Sequence, residues 1–164
     1  MTGLCIMNID KARYQDWSHG EQFQARIARI GAEMGSNKLG FNITEIAPGK
    51  CAFPRHSHNI NEELFFILEG NGRIRIGDEI YPIRQGDFIN IPPGKDHAHQ
   101  IRNDTDKPLR FIAISTMQYP DITEYPDSGK CGVFSEPPTR PGSDDAIRKF
   151  YKMDNDVEYW EGEE

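Results

Sequence analysis

The sequence predicts an all-β fold, either an antiparallel sandwich or a closed barrel. Apolar and polar residues alternate in several short stretches, and Gly and Pro separate these stretches at close intervals. The gaps between them leave no room for crossover helices, which excludes a parallel α/β sheet. Fifteen Gly and eleven Pro among 164 residues also supply the many tight turns that such a fold needs.

The clearest strands lie in the middle of the chain. Leu39, Phe41 and Ile43 alternate with polar residues, and this first stretch ends at Pro48-Gly49. Turn signals rich in Gly, Pro, Asn and Asp separate the stretches that follow. The further predicted strands are 64–68, 73–76, 80–83, 88–91, 97–102 and 109–114.

The two ends of the chain are less regular in pattern. We expect residues 1–38 to form an irregular arm, in which 23–30 fits both a helical stripe and strand alternation; we favour a strand there. Residues 117–164 form a C-terminal extension for which we expect mostly non-regular structure. The length of the whole chain, 1–164, is typical of a single domain.

Charge and cysteine content narrow the class of protein. A formal net charge of −7 argues against nucleic acid or an anionic membrane as a partner, because their phosphates need a basic face. No apolar run approaches the roughly 20 residues that span a bilayer, and we read no signal peptide at the N-terminus. Cys5, Cys51 and Cys131 are odd in number and widely spaced, unlike a disulfide framework. We therefore expect a cytoplasmic protein whose partner is a small molecule.

Four of the five histidines form two closely spaced pairs, His56-Ser57-His58 and His97-Ala98-His99. On a strand, residues i and i+2 point to the same side, so each pair can aim two imidazoles into one space. The first pair is followed by Glu62-Glu63 and then by an apolar strand. Three imidazoles and one carboxylate suit a divalent transition metal such as Zn, Fe, Mn or Ni. Four protein ligands also leave a position open, as a catalytic metal requires.

These residues resemble the two sequence motifs of the cupin superfamily. The matching residues are Gly49, His56, His58, Glu63 and Gly70 for the first motif, and Gly86, Pro92, Gly94, a histidine and Asn103 for the second. The second motif contains two extra residues here. His97 keeps the motif's distance from the glycine, whereas His99 keeps its distance to the asparagine. We favour His99 as the ligand because a loop absorbs an insertion more easily than a strand does.

The resemblance covers about residues 39–116 and implies a cupin jelly-roll β-barrel that commonly forms homodimers. The ligand set that it implies is His56, His58, Glu63 and His99. His97 would lie at the rim of the pocket if it shared a strand with His99. The flanking segments 19–20 and 124–130 look like those of small bacterial single-domain cupins that carry the loose label of sugar-phosphate isomerases.

Two classes of function follow from a metal with an open position. An enzyme could use the metal as a Lewis acid to isomerise a sugar or sugar phosphate, the reaction that we favour, or could hold iron as a dioxygenase does. A binding protein would instead hold its ligand unchanged. Isomerisation also needs a base within about 3 Å of the carbon-bound proton. The sequence does not identify this base and leaves four candidates for it, Glu45, Glu62, His97 and Tyr81.

Overall fold

The computed structural model describes residues 5–136 and 146–163. Its single α-helical turn, within the described residues, is α1 (Ile30–Glu33), and short 3-10 turns cover Ile9–Lys11, Lys95–His97 and Pro126–Ser128. The strands are β1 (Gln15–His19), β2 (Phe23–Ala28), β3 (Leu39–Ile46), β4 (Ser57–His58), β5 (Glu63–Glu69), β6 (Asn71–Ile76), β7 (Glu79–Arg84), β8 (Phe88–Ile91), β9 (His99–Arg102), β10 (Leu109–Thr116), β11 (Asp121–Tyr125), β12 (Lys130–Phe134) and β13 (Arg148–Lys152).

These strands pair antiparallel into three sheets. A six-stranded sheet has the order β1-β2-β3-β10-β5-β8, a four-stranded sheet the order β13-β12-β11-β4, and a three-stranded sheet the order β7-β6-β9. Isolated bridges from Cys51 to Phe23 and to Arg102 connect β2 of the six-stranded sheet with β9 of the three-stranded sheet. The all-β prediction is confirmed, and the arrangement is that of a jelly roll.

The main core lies between the six-stranded and the three-stranded sheets. Phe65 and Ile67 of β5 point into it from one side, while Ile74 of β6 and Ile101 of β9 point into it from the other. This follows from the strand period of two, which sends every second side chain inward. A second cluster, on the other face of the six-stranded sheet, packs α1 and part of the N-terminal arm against Ile43.

The expectations for the two ends of the chain are wrong in part. Residues 15–28 of the arm are not irregular: they form β1 and β2, and the strand favoured for 23–30 is confirmed over Phe23–Ala28. The extension contains β11, β12 and β13 where mostly non-regular structure was expected, although its Pro-rich part, 137–145, lies outside the described residues. The physical reason is pairing, because a sheet edge offers unsatisfied backbone groups that a weakly patterned segment can bind.

The described ranges contain only short helices. None of their helices has the length and apolar character needed to cross a membrane.

Replacement of Gly70, the last glycine of the first motif, should cause a measurable loss of stability. Gly70 has a φ of +85°, and a Cβ added there would press against the carbonyl oxygen of Pro108, whereas Gly86 has a φ of +93° and open space around it. An Ala in left-handed backbone costs about 1–2 kcal/mol at either position. We expect Gly70→Ala to lower the free energy of unfolding by clearly more than Gly86→Ala in urea titrations, because the backbone at Pro108 must also move. Equal losses in the two variants would contradict this account.

Candidate metal centre

The two histidine pairs meet because their backbones are bonded to each other. The amide of His56 donates to the carbonyl of His99 at 3.1 Å, and the amide of His99 donates to the carbonyl of His56 at 2.8 Å. His58 follows two residues later on β4, so its side chain points to the same side as that of His56. The reciprocal bridge therefore brings the imidazoles of two distant sequence segments into one space.

A carboxylate faces these imidazoles from the opposing six-stranded sheet. Glu63 begins β5, and Phe65 on the same face of that strand is buried in the core, so Glu63 also points inward. From Oε2 of Glu63, the Nε2 atoms of His99, His58 and His56 lie at 3.1, 3.7 and 4.0 Å. The potential ligand atoms of His56, His58 and Glu63 all lie within 4.8 Å of one another.

Backbone carbonyls orient two of the three imidazole rings. Nδ1 of His56 lies 2.8 Å from the carbonyl oxygen of Pro54, and Nδ1 of His99 lies 3.2 Å from the carbonyl oxygen of His97. A carbonyl can only accept, so each Nδ1 carries the proton and donates it. In a neutral ring, Nε2 is then a free acceptor turned toward Glu63, which is how metal-binding histidines are held.

The third ring, that of His58, is held by a carboxylate. Its Nδ1 lies 2.6 Å from Oδ2 of Asp121, a residue on β11 that is 3% exposed. Burial acts to lower the pKa of His58, but the hydrogen bond to Asp121 and the charges of Glu63 and Asp121 outweigh burial and raise it. Asp121 thus orients His58 and makes its Nε2 more basic.

The carboxylate and the His56 ring are in the forms that bind a metal. Burial acts to raise the pKa of Glu63, but the hydrogen bond and charge of His99, with the charges of His58 and His56, lower it to about 2. Burial and the charge of His99 lower the pKa of His56 to about 4, against the effect of Glu63. At neutral pH, Glu63 is therefore ionised and His56 is neutral.

One contact tests directly whether these residues fit a metal ion. Oε2 of Glu63 and Nε2 of His99 are both buried, lie 3.1 Å apart, and have no hydrogen-bond partner of ordinary geometry. When the His99 ring is neutral, with Nδ1 donating to the carbonyl of His97, these two atoms are acceptors that face each other; when the ring is protonated, Nε2 donates to Glu63 and the two groups form an ion pair. Buried acceptors repel at this distance unless a proton or a metal ion lies between them. The donor set therefore fits a divalent metal.

Three cavities, of about 160, 200 and 490 Å³, adjoin the candidate centre. His56 and Glu63 line the smallest, His58 and Glu63 line the next, and His56 and His58 line the largest. The largest, called here the aromatic cavity, is also lined by Trp17, Phe53, Tyr125, Phe134 and Phe150. A volume of this size is typical of a small-molecule site.

The structure brings together the four side chains that the sequence analysis named as ligands. His97 stays apart, because it ends the 3-10 turn Lys95–His97 and so does not share a strand with His99. It does not lie at the rim of the pocket, and its contribution is the carbonyl that orients the ring of His99. The two-residue insertion is thus absorbed in the loop.

The four candidate bases do not line the three cavities. Glu45 forms ion pairs with Arg26 at 3.4 Å and with Arg110 at 3.8 Å. Glu62 and Tyr81 are exposed on the surface. The geometry therefore assigns none of them to the metal centre.

Three residues near the centre come from the C-terminal extension, and the sequence analysis assigned no role to two of them, Asp121 and Tyr125. Asp121 holds His58, the ring of Tyr125 stacks on His56 with 6.0 Å between centroids, and Lys130 lines the aromatic cavity. The signal in the sequence was the i, i+2, i+4 spacing of Asp121, Thr123 and Tyr125, which places these side chains on one face of β11. That signal identifies a strand but does not say which strand lies beside it.

Comparison with known proteins finds a domain family that matches part of the chain. The family model of the cupin domain matches residues 42–115, the segment that contains all four candidate ligands. This segment, which carries both motifs, is therefore similar to a cupin domain.

Individual relatives are more distant. An uncharacterised protein of Methanocaldococcus jannaschii is 36% identical over 64 residues, which are 39% of this chain and 50% of that protein. Quercetin 2,3-dioxygenase of Bacillus subtilis is 30% identical over 109 residues, which are 63% of this chain and 32% of that enzyme. The chain thus spans at most half the length of these curated relatives.

Solved structures extend the likeness to most of the chain. One of them is a sugar phosphate isomerase of Silicibacter pomeroyi, described as a member of a cupin superfamily. It superposes on this chain with a TM-score of 0.74, and the superposition covers 91% of this chain and 93% of that one. At a sequence identity of 21%, this likeness concerns the fold alone.

The histidine environments predict distinct titrations in the metal-free protein. We expect His58 to titrate above its ordinary pKa of 6.5 and His56 near 4 in NMR of the ring protons. Asp121→Asn removes a negative charge beside His58 and should lower the pKa of His58 while leaving that of His56 near 4. A His58 pKa that is unchanged in Asp121→Asn would show that Asp121 does not set it.

The same shift has a consequence for stability. Folded His58 binds its proton more tightly than unfolded His58 does, because its pKa is raised. Its contribution to the free energy of unfolding is therefore present below pH 6.5 and is lost as the pH rises through the folded pKa.

Proposed function

We propose that the protein is a metal-dependent cupin enzyme that binds one divalent transition metal, Zn, Fe, Mn or Ni. Its ligands are Nε2 of His56, His58 and His99 and the carboxylate of Glu63. The observation that carries the proposal is the buried contact between Oε2 of Glu63 and Nε2 of His99. A metal ion bound between these two acceptor atoms would remove their mutual repulsion.

The side chains around the centre support catalysis on a small molecule. A metal with an open position acts as a Lewis acid toward a substrate oxygen, and iron there can also activate dioxygen. Burial and the charge of Asp121 raise the pKa of Tyr125 to about 12. Tyr125 therefore keeps its proton at neutral pH and can donate a hydrogen bond to a substrate in the aromatic cavity.

Two observations favour oxygen-dependent chemistry on a ring-containing substrate. The aromatic cavity offers stacking surfaces such as Phe53 and Tyr125, which suit a planar molecule. The sequence relative with a named reaction is quercetin 2,3-dioxygenase, at 30% identity over 109 residues. We therefore take a dioxygenase-type reaction as the first candidate.

Sugar or sugar-phosphate isomerisation is the second candidate. It is supported by the fold likeness to the sugar phosphate isomerase of Silicibacter pomeroyi over 91% of this chain. It lacks support from the cavities, because Glu45, Glu62, His97 and Tyr81 do not line them and the reaction needs a base beside the substrate carbon.

Metal content tests the ligand assignment. We expect protein purified without an affinity tag to hold one divalent metal per chain by elemental analysis. His99→Ala removes a ligand and should weaken the affinity for that metal by about a hundredfold or more, while His97→Ala, its matched control, should leave the affinity within about threefold of the native value. Thermal unfolding of both variants checks that the fold is kept. A His56→Ala/His58→Ala double variant that still holds stoichiometric metal would refute the assignment.

Oxygen dependence separates the two candidate reactions. A dioxygenase-type enzyme should consume oxygen in the presence of an aromatic substrate when iron is bound and should be inactive without oxygen. An isomerase should convert a sugar or sugar phosphate equally well in an anaerobic chamber. The measurements are oxygen uptake with an electrode and product analysis by mass spectrometry. Ligands that raise the Tm yet are recovered unchanged in both assays would point to a binding protein instead.

A further inference from the structure

The described residues that line the aromatic cavity include cationic side chains and no free carboxylate. Among its lining residues, Arg29 and Lys130 are cations, and Asp121 is the carboxylate, which is already bonded to His58. The charge of the lining, apart from the metal centre, is thus positive although the whole chain is acidic. Such a lining selects for anions over neutral ligands of the same shape.

Lys130 is the cation closest to the rings of this cavity. Its Nζ lies 5.0 Å from the ring centroid of Tyr125 and 5.8 Å from that of Phe150. The side chain is half-buried at the start of β12. In the part of the chain that the structure describes, it forms no ion pair, whereas Arg55 and Arg75 both reach Asp127, at 3.1 and 3.5 Å. The ring contacts attract the ammonium group, and no carboxylate among residues 5–136 and 146–163 pairs with it.

The amide, serine and threonine side chains that line the cavity are already engaged within the protein. Asn61 bonds to Gln118 and Thr116, and Thr116 donates its hydroxyl to Asn61. The hydroxyl of Ser115 donates to a backbone carbonyl, and the hydroxyl of Thr123 lies 3.4 Å from Nδ1 of His58. A ligand with many hydroxyls would find few partners here, and each unpaired hydroxyl would weaken binding. The rings favour a planar apolar body instead.

From these features we propose that the substrate of the metal centre is a small aromatic acid. Its ring lies among the aromatic side chains, and its oxyanion, a carboxylate or a phosphate, pairs with the ammonium group of Lys130. That this acid is a substrate rests on the proposed function. Its binding depends on the cavity and on Lys130, not on the metal.

Four simple probes separate the contributions of ring and charge. Benzoate carries a ring and a carboxylate, and benzamide is its neutral counterpart of nearly the same shape. Phenyl phosphate carries a ring and a phosphate, and glucose 6-phosphate carries a phosphate without an aromatic ring. Each is titrated into the full-length protein, followed by protein-detected NMR, with the metal bound and after its removal by chelation.

We expect the two aromatic anions to bind about tenfold more tightly than benzamide, because one charge-assisted contact is worth about that much. Glucose 6-phosphate should bind more weakly than phenyl phosphate. A preference of benzoate over phenyl phosphate identifies the oxyanion as a carboxylate, and the reverse identifies it as a phosphate. Benzamide that binds as tightly as benzoate overturns the role of charge, and glucose 6-phosphate that binds as tightly as phenyl phosphate overturns the role of the ring.

Lys130→Met tests the residue itself, because it keeps the apolar stem and removes the charge. We expect it to lose about tenfold in affinity for benzoate and phenyl phosphate and to leave benzamide unchanged. The matched control is Lys149→Met, an exposed lysine of the neighbouring β13 outside the cavity, which should change nothing. If Lys130 only supports the fold through its ring contacts, Lys130→Met lowers the Tm without changing anion affinity, and the proposal fails.

The two proposals fail in different ways. Probes that bind through Lys130 to a protein that never holds stoichiometric metal would refute the metal enzyme and leave the aromatic-acid site standing. One metal per chain without charge-dependent probe binding would refute the aromatic-acid site and leave the metal enzyme standing.

Discussion

The reciprocal backbone bridge between His56 and His99 is the interaction on which the candidate centre depends. It bonds the segment before β4 to β9 and so brings imidazoles from two sequence segments to the same side of the candidate centre. The carboxylate of Glu63 comes from the opposing six-stranded sheet, so the distance across the centre is fixed by how tightly the two sheets pack. Phe65, on the same face of β5 as Glu63, is part of that packed core. The packing of the core therefore helps to hold Glu63 and His99 at their 3.1 Å contact.

The C-terminal extension completes the centre rather than lying beside it. The family match ends at residue 115, yet β4, which carries His58, finds its strand partner in β11 of the extension, with Thr123 opposite His58. Asp121 of the same strand accepts the Nδ1 proton of His58, and Tyr125 stacks on the ring of His56. Without β11, a two-residue strand would have no ladder to hold it, and the His58 ring would lose its orientation.

The sequence predicted best those features that depend on residues close together in the chain. Strand alternation predicted β3 and the strands from β5 to β10, and motif spacing named the four candidate ligands, because both depend on residues a few positions apart. Asp121 was out of reach because it meets His58 only through a pairing of strands 63 residues apart. At the two ends, β1 and the strands from β11 to β13 were missed for a similar reason, since their partners rather than their own patterns define them. The homodimer, the cytoplasmic location and the single-domain organisation stay predictions.

Net charge and local charge carry different information about partners. The formal charge of −7 is a sum over the whole surface, and it argues against long polyanions that would contact much of that surface. A small ligand responds instead to groups within about a Debye length, roughly 8 Å at physiological salt. In the aromatic cavity those groups include Lys130 and Arg29, while Asp121 is committed to His58. An acidic chain can therefore present a site for an anion, because burial lets a few nearby charges outweigh many distant, screened ones.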